Sequence, residues 1–319
     1  MIRSAETPAL GGGETARLRT PATLSPEDAL ATARQIAPQS LFDFSHLYGP
    51  SSVRSTFARS MTRMPAAGGC VRETAIGLID SRVSDHPSLD RADIENRRFS
   101  ARGSSGIHGT AVASILVGDH PDGPSLADGV RVLAADVFNS ESGTLVADAI
   151  DMIAALDWMA ANGVKVVNMS LSGPPNELIA DAVRAAAAEG MIIVAAAGNG
   201  GRRGGPRYPA ALDEVIATAA IDDRRRPYRQ NSSGDHIDII APGVDVWGAD
   251  IRTNEGALWS GTSFAAPYVT AEIAAAVDRG LVSTVEEALA HLAANAVDLG
   301  PRGPDDIFGA GLLQATACR

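Results

Sequence analysis

The chain has 319 residues, 45% hydrophobic and 20% charged, with a formal net charge of -11. That length holds one large domain with a substantial core, or two small ones. The acidic balance argues against a nucleic-acid binder, which needs a basic face for phosphate, and two cysteines exclude a disulfide-rich scaffold or a four-cysteine zinc site. Cys70 and Cys318 fit one disulfide or two free thiols equally well. No apolar run approaches the roughly 20 residues that span a bilayer, so a soluble protein is expected. The opening MIRSAETPALGGGETARLRT lacks the apolar core of a signal peptide. Either the protein stays inside the cell or a leader has been lost, and the compartment stays open.

Residues 1–70 read as an N-terminal extension rich in Gly, Pro, Ser and Ala. Ser25 and Asp28 form a capping-box pattern that predicts a short helix over ALATARQIA. SLFDFSHLYGP then offers apolar residues able to dock on a larger body. A loose extension, a pro-segment acting in cis and a docked arm all fit. From residue 71 to 319 the pattern changes. TAIGLID, VRVLAADVF, VKVVNMSL and MIIVAAAG are continuous apolar runs, separated by helical stretches such as VADAIDMIAALDWMAANG and NELIADAVRAAAAEG. Such alternation predicts βαβ units, hence an α/β fold whose parallel sheet is covered by helices on both faces. Ligands in such sheets bind at the carboxyl ends of the strands.

Four residues meet that positional test. Asp80 ends AIGLID, His108 opens HGTAVASILVG, Asn199 follows IIVAAAG, and Ser263 opens the last long helix. Singly each is weak: an aspartate or asparagine after a strand is usually a turn residue. Thr262 or Ser263 reads equally as a helix cap. Pro267, in the opening turns of that helix, is expected where a missing N–H has little cost. A catalytic serine needs a base, an orienting acid and an oxyanion donor elsewhere in the chain.

Taken together, AIGLIDSRV, HGTAVAS, VVNMSLSG, AAAGN and SGTSFAAP follow one another in a way that resembles the subtilisin-like serine peptidases, over residues 71 to 315. The closing GAGLLQATA resembles that family's last strand. The resemblance implies a subtilisin-like α/β fold and an endopeptidase that acts through an acyl-enzyme, with Asp80, His108 and Ser263 as its triad in the order Asp, His, Ser. It implies Asn199 as the oxyanion donor and two strands that pair with a protein or peptide substrate, Ser170-Leu171-Ser172-Gly173 and Ser142-Gly143-Thr144. No cofactor is required. Structural calcium is common in the family, but no calcium loop or other metal motif is evident here. Two departures stand out: Arg82 and Ser172 occupy positions where the family usually has glycine.

Rival readings fare worse. Gly198-x-Gly200 starts a dinucleotide fingerprint, but Arg203 stands where its third glycine belongs. Neither a Gly-x-Ser-x-Gly elbow nor a His-Glu-x-x-His zinc motif occurs. The remaining alternative is a latent or non-catalytic member of the same fold acting as a binding or regulatory module, although all three triad residues are present.

Overall fold

The computed structural model describes residues 3–6, 14–17, 20, 24–40, 57–65, 71, 73–121, 123, 125–141 and 144–317. The chain divides into two compact units, Met1–Ser52 and Val53–Arg319. The first contains an antiparallel hairpin of β1 (Arg3–Glu6) and β2 (Glu14–Arg17), followed by α1 (Pro26–Ile36). Ser25 caps that helix: its Oγ accepts from the Asp28 amide at 3.1 Å and donates to the Asp28 carboxylate at 2.7 Å.

In the second unit α2 (Phe57–Thr62) precedes β3 (Ile76–Asp80), β4 (Ile94–Arg98), α3 (Ile107–Val117) and β5 (Val132–Asp136). A hairpin of β6 (Phe138–Glu141) and β7 (Thr144–Ala147) leads into α4 (Ala149–Ala161). Then come β8 (Val166–Met169), α5 (Glu177–Ala188), β9 (Ile192–Ala196), β10 (Val215–Ile221) and β11 (Ile239–Pro242). The hairpin of β12 (Val246–Asp250) and β13 (Glu255–Trp259) precedes α6 (Thr262–Asp278) and α7 (Val285–Asn295).

Seven strands form one sheet in the order β11-β10-β9-β8-β3-β5-β4, and every pairing is parallel. The apolar runs are continuous because both faces are covered. Along β3, Leu78 joins the cluster containing Val112, Leu116, Val269 and Ile273 from α3 and α6, while Ile79 joins the one containing Met159 and Val183 from α4 and α5. In β9, Val194 and Ile193 divide in the same way. The sheet changes direction at β3, with β5 on one side and β8 on the other. A crevice for ligands is expected at the carboxyl end of such a switch point.

Two segments complete the body. Helix α2 is built into it: Ala58 and Thr62 are fully buried, the Arg59 guanidinium donates to the carbonyls of Pro65 and Ser125, and Ala315 N–H donates to Thr62 O at 2.7 Å. GAGLLQATA, expected as a closing strand, is not a regular one. It runs beside β11 through the single parallel bridge Ile240–Leu312, while Leu312 also pairs antiparallel with Val297. Glu272, buried on α6, holds the end of that segment: its Oε1 accepts from the amides of Thr316 and Ala317, each at 2.9 Å, and from His291 Nε2 at 3.0 Å. No described helix is long and apolar enough to cross a membrane.

Candidate active site

Asp80 is the last residue of β3, beside the switch point, and is fully buried. Its carboxylate faces His108 at the start of α3, with Nδ1 2.8 Å from Oδ1 and 3.0 Å from Oδ2. Because a carboxylate only accepts, the shared proton lies on Nδ1 and Nε2 is the basic nitrogen of the neutral ring. The Ser81 amide donates to Oδ1 at 2.6 Å and fixes the carboxylate from behind.

The sequence HGT explains how α3 comes so close. A Cβ on Gly109 would lie 2.0 Å from the Ser81 carbonyl oxygen, so only glycine fits this approach. Its N–H donates to Ser81 Oγ at 2.7 Å. Thr110 Oγ1 accepts from the Ser84 amide at 2.8 Å and donates to Gly106 O. The loop after Asp80 is thereby tied to the first turn of the histidine helix. Burial alone would push the His108 pKa down; the charge and hydrogen bond of Asp80 outweigh it and hold the imidazole above the ordinary histidine value.

Ser263 lies in the first turn of α6, which is where the cap reading of this stretch needs correction. Gly261 is the N-cap and supplies no side chain. The capping acceptor comes from another segment: Asn199 Oδ1 accepts from Thr262 N–H at 3.1 Å and from Thr262 Oγ1 at 3.2 Å. Thr262 Oγ1 accepts in turn from Gly198 N–H at 3.1 Å. With its oxygen taken by two donors, the Asn199 side chain has only its amide NH2 to donate elsewhere. Thr262 is therefore a positioning residue for Asn199, one that sequence reading passed over as a cap.

Pro267 also needs a different explanation. It lies beyond the four unpaired amides of the helix start, and its missing N–H is the one that would have met the Ser263 carbonyl four residues earlier. Ser170 Oγ takes that place, donating to Ser263 O at 2.9 Å. Asn168 Nδ2 donates to Ser170 Oγ at 2.8 Å, and Thr270 Oγ1 on α6 donates to Asn168 Oδ1 at 3.0 Å. A buried polar network thus fastens the end of β8 to the serine helix. The signal was present in the sequence: a proline four residues after a helical residue leaves an orphan carbonyl that must find a donor.

The Ser263 hydroxyl donates to Ser170 O at 3.3 Å. Phe264, the next residue, packs on His108 with ring centroids 5.4 Å apart and on Trp259 at 5.5 Å. Asp80 and His108 are in direct contact, while the serine helix meets His108 through Phe264 and Asn199 through Thr262, the two residues that flank Ser263. In the segment Ser170–Gly173, Ser170 and Leu171 are buried and Ser172 is exposed, while Gly173 exchanges backbone hydrogen bonds with Tyr208 at 2.8 and 3.1 Å. Thr144 begins β7 opposite Glu141. Ser142, Gly143, Cys70 and Cys318 lie outside the described residues. Arg82 is exposed, and its amide donates to Ser104 Oγ at 3.2 Å. Among the described residues no group of three or more His, Cys, Asp or Glu side chains is placed to hold a metal ion.

A model of the subtilase family matches residues 72–311. The chain belongs to that family. Among its relatives it is 31% identical over 259 residues to the minor extracellular protease Epr of Bacillus subtilis (strain 168), a match covering 79% of this chain and 39% of that protein. It is 31% identical over 254 residues to subtilisin DY of Bacillus licheniformis, covering 76% of this chain and 89% of that protein. The solved structure of the prenylagaramide maturation protease PagA superposes with a TM-score of 0.65 at 27% identity, covering 84% of this chain and 97% of that one. The subtilisin-like α/β fold follows, and with it the class of the chain, a subtilisin-like serine-type endopeptidase.

Proposed function

We propose that this subtilase cleaves peptide bonds by forming an acyl-enzyme on Ser263, with Asp80 and His108 as its proton relay. The observation that carries the reading is the two-oxygen contact of Asp80 with His108 Nδ1, at 2.8 and 3.0 Å, beside the serine helix. In this mechanism Ser263 Oγ attacks the substrate carbonyl carbon while His108 Nε2 takes the hydroxyl proton. For this step the Ser263 hydroxyl turns from Ser170 O to His108 Nε2. Asp80 stabilises the imidazolium. The carbonyl oxygen, now negative, is held by the Asn199 amide and the Ser263 N–H at the positive end of α6.

Collapse of the tetrahedral intermediate breaks the C–N bond. The proton passes from His108 to the leaving amine, and an ester remains on Ser263. Water activated by the same imidazole then hydrolyses the ester and returns the proton to Ser263. Ser170–Gly173 and Ser142–Thr144 bind the extended substrate backbone from opposite sides. The reaction calls on no cofactor. Turnover of a mixed peptide library, followed by mass spectrometry, tests the reading: cleavage by the chain and none by Ser263→Ala supports it. Equal cleavage by both would contradict it.

A further inference from the structure

On the serine-peptidase reading, the side chain of the substrate's acyl residue sits in a slot between Ser170–Gly173 and the Gly198–Gly200 turn, and the stem of Arg207, a positively charged residue, lies against Gly198. Arg207 Nε is buried and unpaired, and no hydrogen bond or ion pair engages the guanidinium among the described residues. Ser232 is 1% exposed, and its Oγ is likewise unpartnered. Both meet at Gly198: a Cβ there would lie 2.7 Å from Arg207 Cγ and 3.1 Å from Ser232 Oγ. The φ of +101° at Gly198 independently requires glycine. Ser232 N–H donates to Gly198 O at 2.9 Å, and Tyr208 is paired through its backbone with Gly173. Arg207 thus lies against Gly198 and directly precedes the residue that pairs with Gly173.

The position of the slot fixes what would enter it. If the substrate carbonyl carbon meets Ser263 Oγ and its oxygen meets Asn199, the residue that supplies the acyl group sits beside Ser170 and Gly198. Its side chain then points between the two walls. A half-buried guanidinium without an anion is unfavourable, and a carboxylate is its natural complement, able to accept two parallel N–H bonds. The surrounding field has the same sign: residues 198–208 carry Arg202, Arg203 and Arg207 and no acidic residue, on a chain whose net charge is -11. Ser232 supplies a further hydroxyl donor.

We propose, building on the serine-peptidase reading above, that this slot selects an Asp or Glu side chain on the acyl side of the scissile bond, with Arg207 as its specificity-determining residue. The test uses full-length chain and peptides that differ only at the residue before the cleavage point: Glu, Asp, Gln, Ala, Leu or Lys. The acidic peptides are expected to exceed the others in kcat/KM by roughly tenfold or more. Arg207→Gln, which keeps the aliphatic stem over Gly198, removes that preference, and Arg207→Glu turns it towards Lys. Arg184→Ala, which deletes an exposed positive charge on α5, leaves the preference intact.

Circular dichroism and Ser263 labelling by a fluorophosphonate show that each variant is folded and its nucleophile alive. Labelled enzyme that treats all six peptides alike, or that stays acid-selective after Arg207→Gln, overturns the proposal while the catalytic reading stands. Absence of labelling in the unmodified chain overturns the catalytic reading instead. The slot is then judged by binding of the same peptides to Ser263→Ala: tighter binding of Glu peptide than Gln peptide, lost with Arg207→Gln, supports it, and equal binding refutes it.

Discussion

His108 shows how one residue resolves opposing influences. Burial disfavours its cation, whereas the Asp80 charge and hydrogen bond favour it, and the second pair wins. A general base must be unprotonated, so activity is lost as pH falls through a pKa above the ordinary histidine value of about 6.5. The pH profile of kcat/KM is expected to show that single-proton acid limb. Asp80→Asn should move the limb to lower pH as well as reduce the plateau; a limb unchanged by that substitution would show that another group titrates. Asp80, His108, Asn199 and Ser263 could be picked out as candidates because each sits in a short motif at a strand end or helix start. The bonds of Thr262 to Asn199 and of Ser170 to the Ser263 carbonyl could not, because they join residues 63 and 93 positions apart.

At the scale of elements, the serine helix keeps a proline because Ser170, the residue after β8, supplies the missing donor. Ser170→Ala leaves the Ser263 carbonyl buried without its partner, a loss of about 1–3 kcal/mol in unfolding free energy. Pro267→Ala restores an N–H at that place, so the double variant should recover much of the loss. Denaturant unfolding of the four chains measures this coupling, and strictly additive effects would contradict it. The central strands and the helices beside them could be read from apolar runs, since a strand covered on both faces leaves that pattern. Helix α2 could not: FARSMT has no long apolar face, and its place in the body rests on the buried Ala58, the carbonyl partners of Arg59 and the backbone bond from Ala315 to Thr62. The final segment was expected as a regular strand, but the chain beside β11 keeps only one ladder position before turning to Glu272.

For the molecule as a whole, Asp238 ties stability to pH. It lies just before β11, accepts the Ala217 amide at 2.7 Å, and is raised to about 6, chiefly by burial, with Asp213 adding to the effect. A carboxyl whose folded pKa exceeds its unfolded one binds more protons when folded. Its contribution is full below about 4, the unfolded value, and is lost as pH rises through about 6. Asp238→Asn, which keeps an acceptor but no charge, should therefore flatten the fall in stability between those limits and stabilise the protein at neutral pH by on the order of 1–3 kcal/mol. Melting curves across that range check it, and an identical pH slope in both proteins would refute it. The central claim concerns Ser263. A fluorophosphonate probe applied to the full chain, with the adduct located by mass spectrometry, tests it most directly. The expected result is one adduct on Ser263, lost in Ser263→Ala and sharply reduced in His108→Ala. A folded chain that remains unlabelled would contradict it and mark this subtilase as a binding or regulatory protein.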